Sequence, residues 1–161
     1  MRVYRIGAAP FARTRKEAFS GEGGLYASAR WHTAGHLIVY TAQSLSLAAL
    51  EILVHLKQTN DIQPFRAYTA EIPDAFILKP DSFPPGWRSR IEVSRRFGDK
   101  WLEAKTSAAL LVPSVITAGE QNVLLNPAHP QFSSRWILTG PTAYAFDPRL
   151  LPVRKKNRSR K

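Results

Sequence analysis

Ser44-Leu45-Ser46-Leu47-Ala48-Ala49-Leu50-Glu51-Ile52-Leu53-Val54-His55-Leu56-Lys57 is the stretch on which the fold class turns. It is rich in strong helix formers, and Ser44 offers a hydroxyl to cap the first turn, so the segment reads as a helix. One residue is out of keeping with it. The helical neighbours of Glu51, three and four positions away, are Leu47, Ala48, Val54 and His55, which puts a carboxylate on or beside the apolar stripe. A half-buried carboxylate needs a designated partner; such groups concentrate at active sites, although structural ion pairs give the same signature.

Working outward, Arg2-Val3-Tyr4-Arg5-Ile6 alternates polar and apolar residues as a strand does, and His36-Leu37-Ile38-Val39-Tyr40 is a short apolar run suited to a buried strand. Gly21, Gly23 and Gly24 mark a loop between them. Downstream, Phe65 to Ile72 and Ala75 to Leu78 read as strands about a turn at Pro73-Asp74. A second helix is expected over about Ser89 to Lys105, with Phe97, Trp101 and Leu102 recurring along it and Gly98 interrupting. Ala108 to Val112, Trp136 to Thr139 and Ala143 to Phe146 are further strand candidates. The sum is a single compact α+β domain, a mixed sheet with flanking helices and more strand than helix.

Composition narrows the function classes. At 161 residues and 44% hydrophobic, the chain can remove roughly 70% of its unfolded surface from water. It has no Cys, which excludes disulfides, thiolate metal ligation and cysteine nucleophiles. The amino terminus lacks a signal-type apolar core and no apolar run approaches a membrane span, so a soluble, cytoplasmic protein without a membrane partner is expected. The formal charge is +11, but Arg154 to Lys161 holds six basic residues and no acidic one, and without them the charge falls to +5. Residues 1–152 therefore read as the folded domain and 153–161 as a basic, disordered tail.

Other residues could carry chemistry. In Ala29-Arg30-Trp31-His32 a guanidinium adjoins a large aromatic, and arginine suits bidentate recognition of phosphate or carboxylate. Read singly, Arg30 is more often a solvated surface cation, and Tyr40 more often a residue packed at a strand end with its hydroxyl satisfied. Ser114 follows the apolar Leu111-Val112-Pro113, but no G-x-S-x-G elbow surrounds it, so a serine hydrolase is not indicated. Its hydroxyl could equally cap the turn at the strand exit. His32, His36, His55 and His129 make no HExxH or similar pair, so no metal site is expected. Gly21-Glu22-Gly23-Gly24 lacks both the phosphate-loop lysine and the strand-to-helix setting of a dinucleotide fold.

Taken in order, Tyr4-Arg5-Ile6, Ala29-Arg30-Trp31, Val39-Tyr40-Thr41-Ala42, Ala48 to His55, Val112-Pro113-Ser114, Asn122 with Asn126-Pro127-Ala128-His129-Pro130, and Phe146-Asp147-Pro148-Arg149-Leu150 resemble the RES-domain family. The family's namesake Arg, Glu and Ser correspond to Arg30, Glu51 and Ser114. The family usually has Gly-Gly before Arg-Trp and Asn after it, where this chain has Ser28-Ala29 and His32. The resemblance implies an ADP-ribosyltransferase-like fold, a cleft that takes NAD as substrate rather than as cofactor, and cleavage of the nicotinamide–ribose bond. It implies catalytic Arg30, Tyr40, Glu51 and Ser114, with Arg5, Trp31 and Asn122 binding the dinucleotide. Tyr40 would stack on nicotinamide, Arg30 and Arg5 would hold the pyrophosphate or ribose, and Ser114 would bond the ribose region or amide. It implies a toxin paired with a helix-turn-helix antitoxin, self-association, and DNA contact only through that antitoxin. Two alternatives stand beside it: a protein-modifying ADP-ribosyltransferase using the same site, and a basic nucleic-acid-binding module using the tail.

Overall fold

The computed structural model describes residues 1–56 and 64–150. Its elements are β1 (Arg2–Ala8), α1 (Arg15–Ala18), α2 (Gly23–Tyr26), β2 (Val39–Ala42), α3 (Leu45–Leu53), β3 (Phe65–Glu71), β4 (Ile77–Leu78), α4 (Ile91–Ala104), β5 (Ala109–Pro113), β6 (Gln121–Leu125) and β7 (Ile137–Tyr144), joined by loops and short 3-10 turns. The strands form one sheet in the order β4-β5-β6-β2-β1-β3-β7. Every pairing is antiparallel except β4 with β5. The α+β expectation holds, but helix and strand occupy comparable shares rather than strand prevailing. The expected tail lies outside the described residues, as does Lys57 of the expected helix. No described helix is long and apolar enough to cross a membrane.

Strand alternation sends side chains to two faces of the sheet. On one, Val3, Val39, Leu111, Val123 and Leu125 pack with Tyr68, Ile72 and Trp136. On the other, two clusters lie side by side. Ile6, Ala42 and Phe65 receive Leu47, Ala48 and Ala49 of α3, while Leu110, Val112 and Leu124 receive Trp101 and Leu102 of α4 together with Trp31. Two helices thus share one face of the sheet, and the space between them is open to a site.

The expected elements are mostly present, with revised limits. Ser44 caps α3 as read, its Oγ accepting from the Leu47 amide at 3.0 Å. The strand expected at His36 to Tyr40 starts later, at Val39, because the preceding residues fold against the glycine loop, the Ile38 amide donating to the Gly21 carbonyl at 3.2 Å. Residues 74–76 form a 3-10 turn, leaving only Ile77–Leu78 as strand. The two strands expected at Trp136 to Thr139 and Ala143 to Phe146 are one, β7. The central strand β6 was not anticipated.

The β1–β2 pairing is short: its one register pair is Tyr4 with Ala42, whereas β1 pairs with β3 from Arg2↔Glu71 to Ala8↔Phe65. Beyond Tyr4 the strands part, and Arg5 enters the gap, its Nη1 donating to the Tyr40 carbonyl at 3.0 Å. At the β7 edge of the sheet, Arg15 donates to the carbonyls of Ile137, Leu138 and Gly140 at 3.0–3.3 Å.

Gly98 is the close-approach point of α4. A Cβ there would run into the Trp31 carbonyl. On helix propensity alone, Gly98→Ala would stabilise by ~1 kcal/mol. Because the neighbour is backbone and cannot swing aside, the expected outcome has the opposite sign, a loss of about 1–3 kcal/mol. Chemical denaturation of the two proteins reads it directly.

Candidate active site

Glu51 occupies the exit turn of α3 and faces the space between the helices. Its Oε1 accepts from Asn122 Nδ2 at 2.6 Å and from Ser114 Oγ at 3.2 Å. The Ser114 hydroxyl itself accepts from the amides of Ile116 and Thr117, each at 3.1 Å. With its lone pairs directed at those two amides, its proton is left for Glu51. The carboxylate is therefore held at one oxygen from behind, and Oε2 receives no bond among the described residues.

Arg5, Arg30, Tyr40, Glu51 and Asn122 line one chamber of about 220 Å³. Five of the seven site residues expected from sequence are thereby brought together. Ser114, 1% exposed, sits behind Glu51, where it orients the carboxylate rather than reaching the chamber. Trp31, 2% exposed, commits its ring to a cluster with Phe83, Trp87 and Phe97, at centroid distances of 5.4–6.2 Å. What Trp31 presents to the site is its amide, which donates to the Tyr40 hydroxyl oxygen at 3.1 Å.

Both arginines lack carboxylate partners among the described residues, and Nε of each is buried without a hydrogen bond. Burial, only partly offset by Tyr68, lowers the Arg5 guanidinium pKa from its ordinary value to about 10. It stays charged at neutral pH, at an unrelieved desolvation cost that an anion in the chamber would offset. Arg30 Nη2 donates to the Arg88 carbonyl. The Asn122 Oδ1 is buried and unpartnered as well. A chamber walled by orphaned donors, one orphaned acceptor and a half-free carboxylate is prepared for a polar ligand carrying negative charge. Among the described residues, no three His, Asp or Glu gather to hold a metal ion.

Sequence reading missed the frame around these groups. Ser94 Oγ donates to the Arg30 carbonyl and Arg95 Nε to the Ala29 carbonyl, each at 2.8 Å, so α4 clamps the loop that carries Arg30. His32, 2% exposed, places Nδ1 2.9 Å from the Tyr40 hydroxyl. Burial is the main cause that lowers the imidazole pKa and raises that of the phenol, so both are neutral at neutral pH. The signal for His32 was its place in Ala29-Arg30-Trp31-His32, between a buried aromatic and the strand bearing Tyr40.

The geometry has counterparts among known proteins. A family model described as RES domain matches residues 2–147. A Toxin Res of Yersinia enterocolitica is 37% identical over 154 residues, covering 93% of this chain and 99% of that protein. A Prs ADP-ribosylating toxin of Sphingobium is 36% identical over 157 residues, with coverage of 87% and 91%. Among solved structures, a chain of the M. tuberculosis MbcT–MbcA toxin–antitoxin complex superimposes with a TM-score of 0.68 at 17% identity, covering 89% of this chain and 83% of that one. That last likeness is one of fold.

The His32 environment sets a pH dependence. The imidazole pKa is depressed below 6.5 in the folded chain, so as pH falls through 6.5 the unfolded chain takes up this proton first and stability drops. His32→Asn removes the titration while keeping a polar side chain beside Tyr40. Thermal melts between pH 7.5 and 5 should show a steeper acid-side loss in the parent protein than in this variant; parallel curves would remove His32 as the cause.

Proposed function

The chain belongs to the RES domain family, and we propose that it is the toxin of a toxin–antitoxin pair and acts by cleaving the nicotinamide–ribose bond of NAD. The observation that carries this is the pinned carboxylate: Asn122 and Ser114 fix one oxygen of Glu51, and the carboxylate lines a chamber shared with two guanidinium groups that lack acidic partners. Departure of nicotinamide makes the ribose oxocarbenium-like, and a preoriented carboxylate stabilises that charge without reorganising. Arg5 and Arg30 suit the pyrophosphate, for which a desolvated guanidinium is a ready partner. Tyr40, its hydroxyl anchored to Trp31 and His32, would present its ring to the nicotinamide.

The names of relatives support the same direction, since one is called an ADP-ribosylating toxin and others Toxin Res. That first name also favours a second reading, in which the ADP-ribosyl group passes to a protein instead of to water or phosphate. The structural neighbour from a toxin–antitoxin complex supports an antitoxin partner, for which a helix-turn-helix protein acting in the cytoplasm is our proposal.

Incubation of purified protein with NAD, followed by product identification, tests the reading. Nicotinamide should appear together with free ADP-ribose or its phosphate ester; a labelled polypeptide would favour the second reading, and absence of nicotinamide would overturn both. Glu51→Ala should slow nicotinamide release at least about a hundredfold, as loss of one electrostatic stabiliser costs ~3 kcal/mol. Near-normal turnover in that variant would remove Glu51 from the mechanism.

A further inference from the structure

The chamber around Glu51 is too small for a whole dinucleotide, since pockets that enclose drug-sized ligands begin at roughly 300 Å³ and this one is about 220 Å³. Further cavities adjoin it among the described residues. One, of about 390 Å³, shares Glu51, Arg30 and Asn122 with the chamber. Another, of about 790 Å³, meets the chamber at Arg5, Ala29 and Tyr40, and neither Glu51 nor Arg30 lines it. The chemistry sorts them. An acceptor attacking the ribose must come up beside the carboxylate, which assigns it the smaller cavity; the rest of the substrate then leaves past Arg5 into the larger one.

That larger cavity carries an unusual lining. Phe11, at the end of a 3-10 turn, is 77% exposed and Tyr26, at the end of α2, is 85% exposed. Single exposed aromatics are ordinary. Two of them lining one cavity, whose neck holds a buried guanidinium with an orphaned nitrogen, are not. An aromatic face in water suits a flat heteroaromatic ring, and stacking of this kind discriminates little among bases. Resting on the reading of NAD cleavage, we infer that Phe11 and Tyr26 form the binding surface for the purine of the substrate, with Arg5 at the neck facing the pyrophosphate. The adenylate half is then gripped in the cavity that Glu51 does not line, and the acceptor has the cavity that it does.

Three measurements on the full chain test this: kcat and KM for nicotinamide release from NAD, the same from nicotinamide mononucleotide, which lacks the adenylate, and equilibrium titration with AMP. The variants are Tyr26→Ala, Phe11→Ala and Tyr26→Phe, all at exposed positions. Either alanine variant should raise KM for NAD about tenfold and weaken AMP binding similarly, within what base stacking supplies. The loss should appear in KM rather than kcat, and the preference for NAD over the mononucleotide in kcat/KM should fall by the same factor. Tyr26→Phe should retain parent behaviour because the ring, not the hydroxyl, makes the contact. An unmoved preference and unmoved AMP binding in both alanine variants would overturn the purine site. Nicotinamide release from neither substrate, together with AMP binding that Tyr26→Ala weakens, would overturn the cleavage reading and leave the purine site standing.

Discussion

The site depends on the parting of β1 and β2. A sheet whose central strands stayed paired along their length would have no room for a ligand at its middle. Here the pairing stops after Tyr4 and Ala42, and the guanidinium of Arg5 takes the Tyr40 carbonyl that faces the gap. One side chain therefore serves two ends: it satisfies a backbone acceptor that burial would otherwise leave unmet, and it keeps a positive charge at the mouth of the opening. The desolvation that lowers its pKa is the cost of that placement.

Around the gap, the architecture is a matter of what the two helices bring. The α3 helix reaches the sheet through small and aliphatic residues, Leu47, Ala48 and Ala49, and delivers Glu51 from its far end. The α4 helix comes close through Ser94, Gly98, Trp101 and Leu102, spaced to lie on one side. Gly98 admits the Trp31 carbonyl, while Ser94 and Arg95 bind the two carbonyls before it. The loop bearing Arg30 is thus fixed by its backbone, and the Arg30 side chain lines the chamber. Tyr40 is fixed differently, through its hydroxyl, by an amide and an imidazole from that same loop.

Much of this was legible in the order of residues, and the failures have physical causes. The Ser44-capped helix and its misplaced acid were readable because propensity, capping and amphipathic spacing agree there. Strand β6 escaped because Asn122-Val123-Leu124-Leu125 is buried on both faces, so it shows no alternation and resembles the apolar lead-in to the Asn126-Pro127 turn. Missing β6 also hid the geometric reason for Asn122, which needs that strand beside β2 to reach Glu51. Ser114 was found but given a ligand contact; only the fold reveals that its proton is spent on a carboxylate from a remote helix. Trp31 is expected from sequence to bind the dinucleotide, whereas the aromatic partners that hold its ring come from segments more than fifty residues downstream. Interactions across such separations leave no periodic trace in the chain.

The guanidinium of Arg15, lying along the outer margin of β7, governs how the molecule can meet other polypeptides. Exposed strand margins invite continuation by any extended chain with free amides. Here the acceptors of Ile137, Leu138 and Gly140 are already engaged by a cation tethered to α1. A visiting strand would have to displace all three bonds at once before gaining its first. Growth of the sheet from molecule to molecule is opposed along that stretch of β7.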